Sequence, residues 1–126
     1  MNGRVSAMHD VRGIYEAVEC LGRTIVASVT LFPKGVHISI YGGDKPHIGA
    51  VTNIGPDGEE ETTLFPTHRD DVVSRRWGKR LKDEGLLPAV VEVGIHYDGL
   101  TKEGVEAVIR ATDRLLEGML GKMQHR

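Results

Sequence analysis

The sequence predicts an α+β domain, a mostly antiparallel sheet with two helices packed on one of its faces. Alternating and β-branched runs dominate residues 14–65, which predicts strands. Two helix-period patterns follow, over residues 73–84 and 101–119, and a nearly continuous apolar run at 89–96 separates them. A β-rich half followed by helix, strand and helix is satisfied most simply when both helices cover the same face of one sheet.

The first three strands follow from alternation and turn chemistry. Apolar residues alternate over 14–20, and residues 23–32 are rich in β-branched side chains. Leu21 and Gly22 lie between these runs, so we predict a hairpin. Residues 36–41 alternate again and predict a third strand with one buried face.

A second hairpin is predicted over residues 51–64. Residues 48–54 resume a strand pattern, and the Gly-Pro-Asp-Gly sequence at 55–58 is a strong turn signal. Residues 59–65 then return as a strand, whose acidic start is expected to be exposed.

The apolar run at residues 89–96 predicts a central strand between the two helices. Asp70 or Asp71 is expected to cap the first helix by accepting backbone N–H bonds, and Gly85 is placed to end it. Thr101 is expected to cap the second helix. The predicted inner face of the first helix is Val73, Trp77 and Leu81. That of the second is Val105, Val108, Ile109, Thr112, Leu116 and Met119.

We expect one domain over residues 1–126, with flexible tails at 1–10 and 122–126.

Bulk composition excludes several classes of protein. The chain has 126 residues, a formal net charge of −2 and 5% aromatic residues, which disfavours a nucleic-acid or anionic-membrane binder. No stretch approaches a membrane span of about 20 apolar residues. Cys20 is the only cysteine and is expected in the core, so a cytoplasmic location is predicted. No G-x-S-x-G nucleophile motif is present.

Three histidines share one setting. His47, His68 and His96 each lie at or just past the end of a predicted strand, beside a glycine or proline. Strand ends are common places for sites, so we expect these imidazoles to converge near Asp44, Asp70 and Asp98. Three interpretations stay open, and the first two are a divalent-metal site and an oxyanion or phosphate site with imidazole donors. Scattered, unrelated histidines are the third.

The glycine-rich stretch at residues 41–51 is the most distinctive part of the chain. Gly42, Gly43 and Gly49 allow a ligand to approach the backbone, and Pro46 restricts the residue before it. The stretch is neither a P-loop nor a dinucleotide fingerprint. It predicts either an anion-binding nest of backbone N–H groups, helped by Lys45 and His47, or a wide hairpin loop without a ligand.

The first predicted helix carries a basic cluster, Arg75, Arg76, Lys79, Arg80 and Lys82. Such a cluster is usually a solvated face. The functional alternatives are phosphate binding by Arg75 or Arg76 and docking to an acidic partner.

Three segments taken in order resemble the LpdD-like family. They are Gly42-Gly43-x-x-Pro46-His47-Ile48-Gly49, then Phe65-Pro66-Thr67-His68, then Gly94-Ile95-His96-x-x-x-Leu100-Thr101-Lys102. The likeness spans roughly residues 12–120. Members are small proteins encoded beside gallate and related hydroxyarene decarboxylases, and they are described as prenylated-flavin chaperones.

The resemblance implies a non-catalytic protein that binds prenylated FMN and assists its delivery to, or maturation in, a UbiD-type decarboxylase. A UbiX-type flavin prenyltransferase is a further partner by analogy, and a homo-oligomer is expected. Tyr41, Trp77 and Tyr97 are candidates to pack on the flavin. The candidate binding residues, mapped onto the matching positions, are Gly42, Gly43, Asp44, Lys45, Pro46, His47, Gly49, His68, Arg69, Arg75 and His96.

Two rival functions stay open. A metal-dependent enzyme would hold its metal with His47, His68 and His96. A purely structural decarboxylase subunit would need no ligand at all.

Overall fold

Six strands form one sheet and two helices lie against it in the computed structural model, which describes residues 10–65 and 69–124. The strands are β1 (Arg12–Cys20), β2 (Arg23–Phe32), β3 (Gly35–Gly43), β4 (Ala50–Ile54), β5 (Glu60–Leu64) and β6 (Ala89–His96). The helices are α1 (Asp71–Asp83) and α2 (Lys102–Gln124). The α+β prediction is confirmed.

The sheet has the order β1-β2-β3-β6-β4-β5, and every neighbouring pair is antiparallel except β3 and β6. Both predicted hairpins form, and β6 is central, as its apolar sequence predicted. Because β3 and β6 are parallel, their carboxyl ends meet at the same edge of the sheet, with Gly43 paired to His96. This pairing brings the glycine-rich stretch and the third histidine segment together.

The core lies between the helices and one sheet face. Trp77 and Leu81 of α1 are fully buried, and so is Met119 of α2. They pack in one cluster with inward residues of the central strands, such as Ile38 and Val91. Burial of side chains of this size stabilises the fold by about 1.5–3 kcal/mol each.

Three predicted details of the helices need correction. Val105 is 44% exposed and Ile109 is half-buried, so they do not belong to the buried face of α2. The helix also continues past Gly121 to Gln124 and buries Met123, so residues 122–124 are not the tail we expected. Cys20, at the end of β1, is buried as predicted.

The loop that leaves β3 is shifted by two residues from its predicted position at 42–47 and has the predicted length. Strand β3 continues through Gly43, and β4 begins only at Ala50, so the loop consists of residues 44–49. Neither α1 nor α2 is long and apolar enough to cross a membrane, and this finding covers the described residues.

Candidate functional site

The 44–49 loop lies across the carboxyl end of β6. Asp44 N–H donates to the His96 carbonyl (2.6 Å), and Gly49 N–H donates to the Val93 carbonyl (2.8 Å). Between them, His47 N–H approaches the Gly94 carbonyl at 3.4 Å. The loop therefore follows the last residues of β6 and holds the His47 side chain beside that strand end.

Two glycines make this close approach sterically feasible. A Cβ atom on Gly94 would lie 1.4 Å from the carbonyl oxygen of His47, so no side chain fits there. Gly43 has a φ of 84°, and its Cβ would lie 2.3 Å from the His96 carbonyl oxygen. Gly43 and Gly94 are therefore required by contact between backbones, independently of any ligand.

Asp70 is the centre of the site. It occupies the N-cap position of α1 but makes no side-chain cap bond, so the predicted capping role is wrong. Its Oδ1 instead accepts the backbone N–H of Ile95 (3.1 Å), and its Oδ2 lies 3.0 Å from His47 Nε2. The carboxylate is 7% exposed. The Asp70 carboxylate continues the hydrogen bonding of β6 at the point where the neighbouring backbone segment diverges from that strand.

Both ring nitrogens of His47 face oxygen acceptors. Nε2 contacts Asp70, and Nδ1 lies 3.0 Å from the carbonyl oxygen of Lys45. With Asp70 ionised, both contacts are hydrogen bonds when each ring nitrogen carries a proton, which is the imidazolium form. The orientation of His47 is therefore fixed from two sides by this chain's own atoms.

His96 lies beside His47 but is more open to solvent. The two ring centroids are 6.3 Å apart in an edge-to-face arrangement. His96 Nε2 is 2.9 Å from Asp98 Oδ1, and 40% of the His96 side chain is exposed, against 21% for His47. The predicted convergence of these two histidines is thus found in the fold, each with an aspartate partner.

Asp44 ties the loop to its surroundings. Its Oδ1 accepts a hydrogen bond from Arg23 Nε (2.7 Å), and its Oδ2 accepts one from the Asp98 N–H (3.0 Å). The Asp98 N–H and the Arg23 guanidinium lower the pKa of Asp44 below its ordinary value. Lys45 Nζ lies 3.7 Å from Asp98 and is largely exposed, so its charge is available at the surface of the site.

An apolar groove of about 310 Å³ adjoins the histidines. It runs between the amino-terminal ends of α1 and α2, over the end of β6. Its wall is formed by Val72, Val73, Ile95, Tyr97, Leu100, Val105, Val108 and Ile109, and its polar lining residues are Arg69, Asp70 and His96. Tyr97 donates its hydroxyl to the Cys20 carbonyl (2.7 Å), and burial raises its pKa above the ordinary value.

The remaining predicted site residues have other contacts, are exposed, or lie outside the described residues. Arg75 contacts Asp71 and the Glu60 and Thr62 side chains of β5. Gly42 packs against β2, where a Cβ would lie 2.3 Å from the Thr24 carbonyl. Pro46 is an exposed residue of the loop. His68 lies outside the described residues.

Two more expectations are resolved by position. Trp77 lies in the core, so it cannot stack on a ring bound at the surface. Much of the basic cluster forms ion pairs: Arg76 contacts Asp113 of α2, and Arg80 contacts Glu117. These pairs favour the solvated-face interpretation, in which the charges link the two helices.

Within residues 10–65 and 69–124, no group of three or more His, Cys, Asp or Glu side chains is arranged to hold a metal ion. A metal on His47 would have to displace its contact with Asp70 or with the Lys45 carbonyl.

Sequence reasoning missed the groove and the true role of Asp70. The one signal for the groove was Leu100, which follows a strand-ending turn and has no place in either helix pattern. Nothing in the sequence pattern distinguishes an N-cap aspartate from one that bonds a neighbouring strand.

The comparisons with known proteins identify the family of this chain. The family model of the prenylated flavin chaperone LpdD-like domain matches residues 19–124. The chain belongs to the LpdD-like family. Protein LpdD of Lactiplantibacillus plantarum is 32% identical over 92 residues, which cover 69% of this chain and 68% of that protein. The resemblance drawn from the three segments is therefore confirmed, and the LpdD-like family carries a chaperone role for prenylated flavin.

Among solved structures, this LpdD-like chain is similar to a chain of a chaperone complex for yeast 20S proteasome assembly. The TM-score is 0.53 at 15% identity, over 86% of this chain and 97% of the other. At this identity the likeness shows a shared fold and nothing further.

Proposed function

We propose that this LpdD-like domain binds prenylated FMN as cargo and assists its delivery to, or maturation in, a UbiD-type decarboxylase. The observation that carries the proposal is an apolar groove lined by His96, with His47 packed beside His96. A flavin has an apolar ring edge and a polar edge of carbonyl and nitrogen atoms. A site with the same division suits it.

The two histidines have different roles in this proposal. His96 is the more exposed ring and contacts the polar edge of the flavin, whereas His47 positions the loop because Lys45 and Asp70 already engage both of its nitrogens. Asp70 acts through His47 and is a positioning residue.

Lys45 and Arg69 supply positive charge for the phosphate. Their side chains are 72% and 78% exposed, and each has one carboxylate neighbour, at 3.7 Å and 3.3 Å. Lysine has three donors and arginine has five, so both retain donors for a phosphate. Arg75, which contacts β5, is the weaker candidate.

The groove accommodates part of the cofactor only. Its volume of about 310 Å³ is at the low end for ligand sites, so the ribityl phosphate lies outside it, toward Lys45 and Arg69. A cargo held partly in solvent can be released to a partner enzyme. In this proposal the chain is not itself an enzyme, a UbiD-type decarboxylase receives the flavin, and a UbiX-type prenyltransferase supplies it.

Titration of the purified protein with prenylated FMN tests the proposal, by flavin fluorescence or calorimetry. We expect a Kd of tens of micromolar or tighter, about −6 kcal/mol. His96→Gln should weaken binding at least tenfold without lowering the unfolding midpoint, whereas His47→Ala should lower both affinity and stability. His37→Gln is the matched control, because His37 also contacts a carboxylate, Glu92 at 2.7 Å, but lies on β3 away from the groove.

Three results would count against the proposal. Absence of binding at tens of micromolar would reject a carrier role. Co-purification with the decarboxylase at fixed stoichiometry, without flavin affinity, would favour the structural-subunit alternative. Metal that co-purifies in stoichiometric amount and is lost in His47→Ala would favour the metal-dependent alternative.

A further inference from the structure

The groove between α1 and α2 is lined by three large apolar side chains that are partly exposed. Val72, Leu100 and Val105 line it and are 39%, 39% and 44% exposed. These three side chains face the same concavity. Such a surface is suited to an apolar group.

The polar lining residues of the groove are Arg69, Asp70 and His96, and they adjoin one another around His47. Asp70 contacts His47, and the His96 ring lies beside the His47 ring. Any ligand whose polar edge meets His96 therefore has apolar surface directly beside that edge.

We propose that this groove takes the isoprenoid-derived carbons of the prenylated flavin and the ring edge that carries them. It is then the part of the site that distinguishes prenylated flavin from ordinary FMN. The inference depends on the proposed function, because it assigns one portion of that ligand to one portion of the site. Ordinary FMN can use the same histidine and phosphate contacts, but it has no isoprenoid carbons to bury.

The larger cavity of the molecule does not suit this purpose. It has a volume of about 720 Å³ and lies at the opposite end of the sheet, beside the β2–β3 turn. Arg12, Lys34 and Glu84 are among its lining residues, and none of the histidines of the site reaches it. Its lining mixes charged and apolar residues, and a ligand bound there would not meet His47 or His96.

The test compares the two flavins on the full chain. Wild type should bind prenylated FMN at least tenfold more tightly than FMN, a difference of about 1.4 kcal/mol. Val105→Asp places a carboxylate at the groove wall, and its ratio should fall to within about twofold, because prenylated FMN loses more buried apolar contact there than FMN does. Leu100→Ser, which lies outside both helices, is the second variant and should lower the ratio in the same direction. Leu64→Asp is the control, since Leu64 is an apolar residue of β5, 40% exposed, that does not line the groove.

The outcomes separate the two proposals. If wild type binds both flavins with equal affinity, the groove inference is overturned and the carrier proposal stands. If neither flavin binds, both fail. If Val105→Asp and Leu100→Ser keep the full preference, or lose affinity for both flavins equally, the groove does not discriminate.

Discussion

Replacement of Gly49 by alanine tests the central contact of the site. A Cβ atom at this position would lie 2.0 Å from Asp70 Oδ2 and 2.9 Å from His47 Nε2. Real Cβ atoms do not approach other atoms this closely, so the Asp70 carboxylate must move. Its movement breaks the contact with His47 and the hydrogen bond from Ile95 N–H.

Two costs combine in this variant. Overpacking of a tightly packed site costs about 1–3 kcal/mol. A buried carboxylate that is left without its hydrogen-bond donors costs about 1–3 kcal/mol when it stays buried, and less if it moves toward solvent. We expect a net destabilisation of ~3 kcal/mol. With an unfolding entropy of about 2.1 cal/mol/K per residue, this lowers the Tm by about 10 °C for a chain of 126 residues.

Differential scanning calorimetry on Gly49→Ala and wild type measures this change. Gly13→Ala is the matched control, because a Cβ on Gly13 meets nothing within 4 Å and its Tm should stay within about 2 °C of wild type. A Tm for Gly49→Ala that also stays within about 2 °C would refute the reasoning, since Asp70 would then tolerate displacement without cost.

Three further changes probe the surroundings of the site. Thr101→Ala removes the hydroxyl that accepts the Gly104 N–H (3.0 Å) and should lower the free energy of unfolding by about 1 kcal/mol in urea titration. Tyr97→Phe leaves the buried Cys20 carbonyl without its donor and should cost about 1–2 kcal/mol by the same measurement. The pKa of Asp44 is lowered by the Asp98 N–H and by Arg23, so its contribution is present above the ordinary carboxyl pKa of about 4 and is lost as the pH falls through the folded-state value. Asp44→Asn should therefore flatten the acid side of the profile of urea midpoint against pH; an unchanged slope would contradict this assignment.

Most of the fold was predictable because period and turn chemistry agree over most of the chain. The alternation of Val36, Ile38 and Ile40 placed one face of β3 in the core, and Thr101 capped the second helix as expected. The parallel pairing of β3 with β6 was not predictable, since strand order depends on contacts between residues distant in sequence. The burial of Met123 was missed because glycine at position 121 suggested an end to a helix that packing continues.

The site was predictable as a set of residues but not as a geometry. Strand-end position alone brought His47 and His96 together correctly. The sequence favoured a capping role for Asp70, because aspartate before a helix usually caps it. Tertiary contacts with Ile95 and His47 outweighed that local preference.

Asp70 bonds to His47 and Ile95 in place of capping α1, and these contacts assemble the candidate site from the chain's own groups. The loop, the start of α1 and the end of β6 are joined through one buried carboxylate, and none of these bonds requires a ligand. A site already assembled has little ordering cost on binding, so moderate affinity needs few ligand contacts. Few contacts also allow fast release, which a chaperone requires and a resident-cofactor enzyme does not. The groups that hold the site together should therefore be separable from those that hold the cargo: Asp70 and Gly49 variants should reduce stability first, and His96 variants should reduce affinity alone.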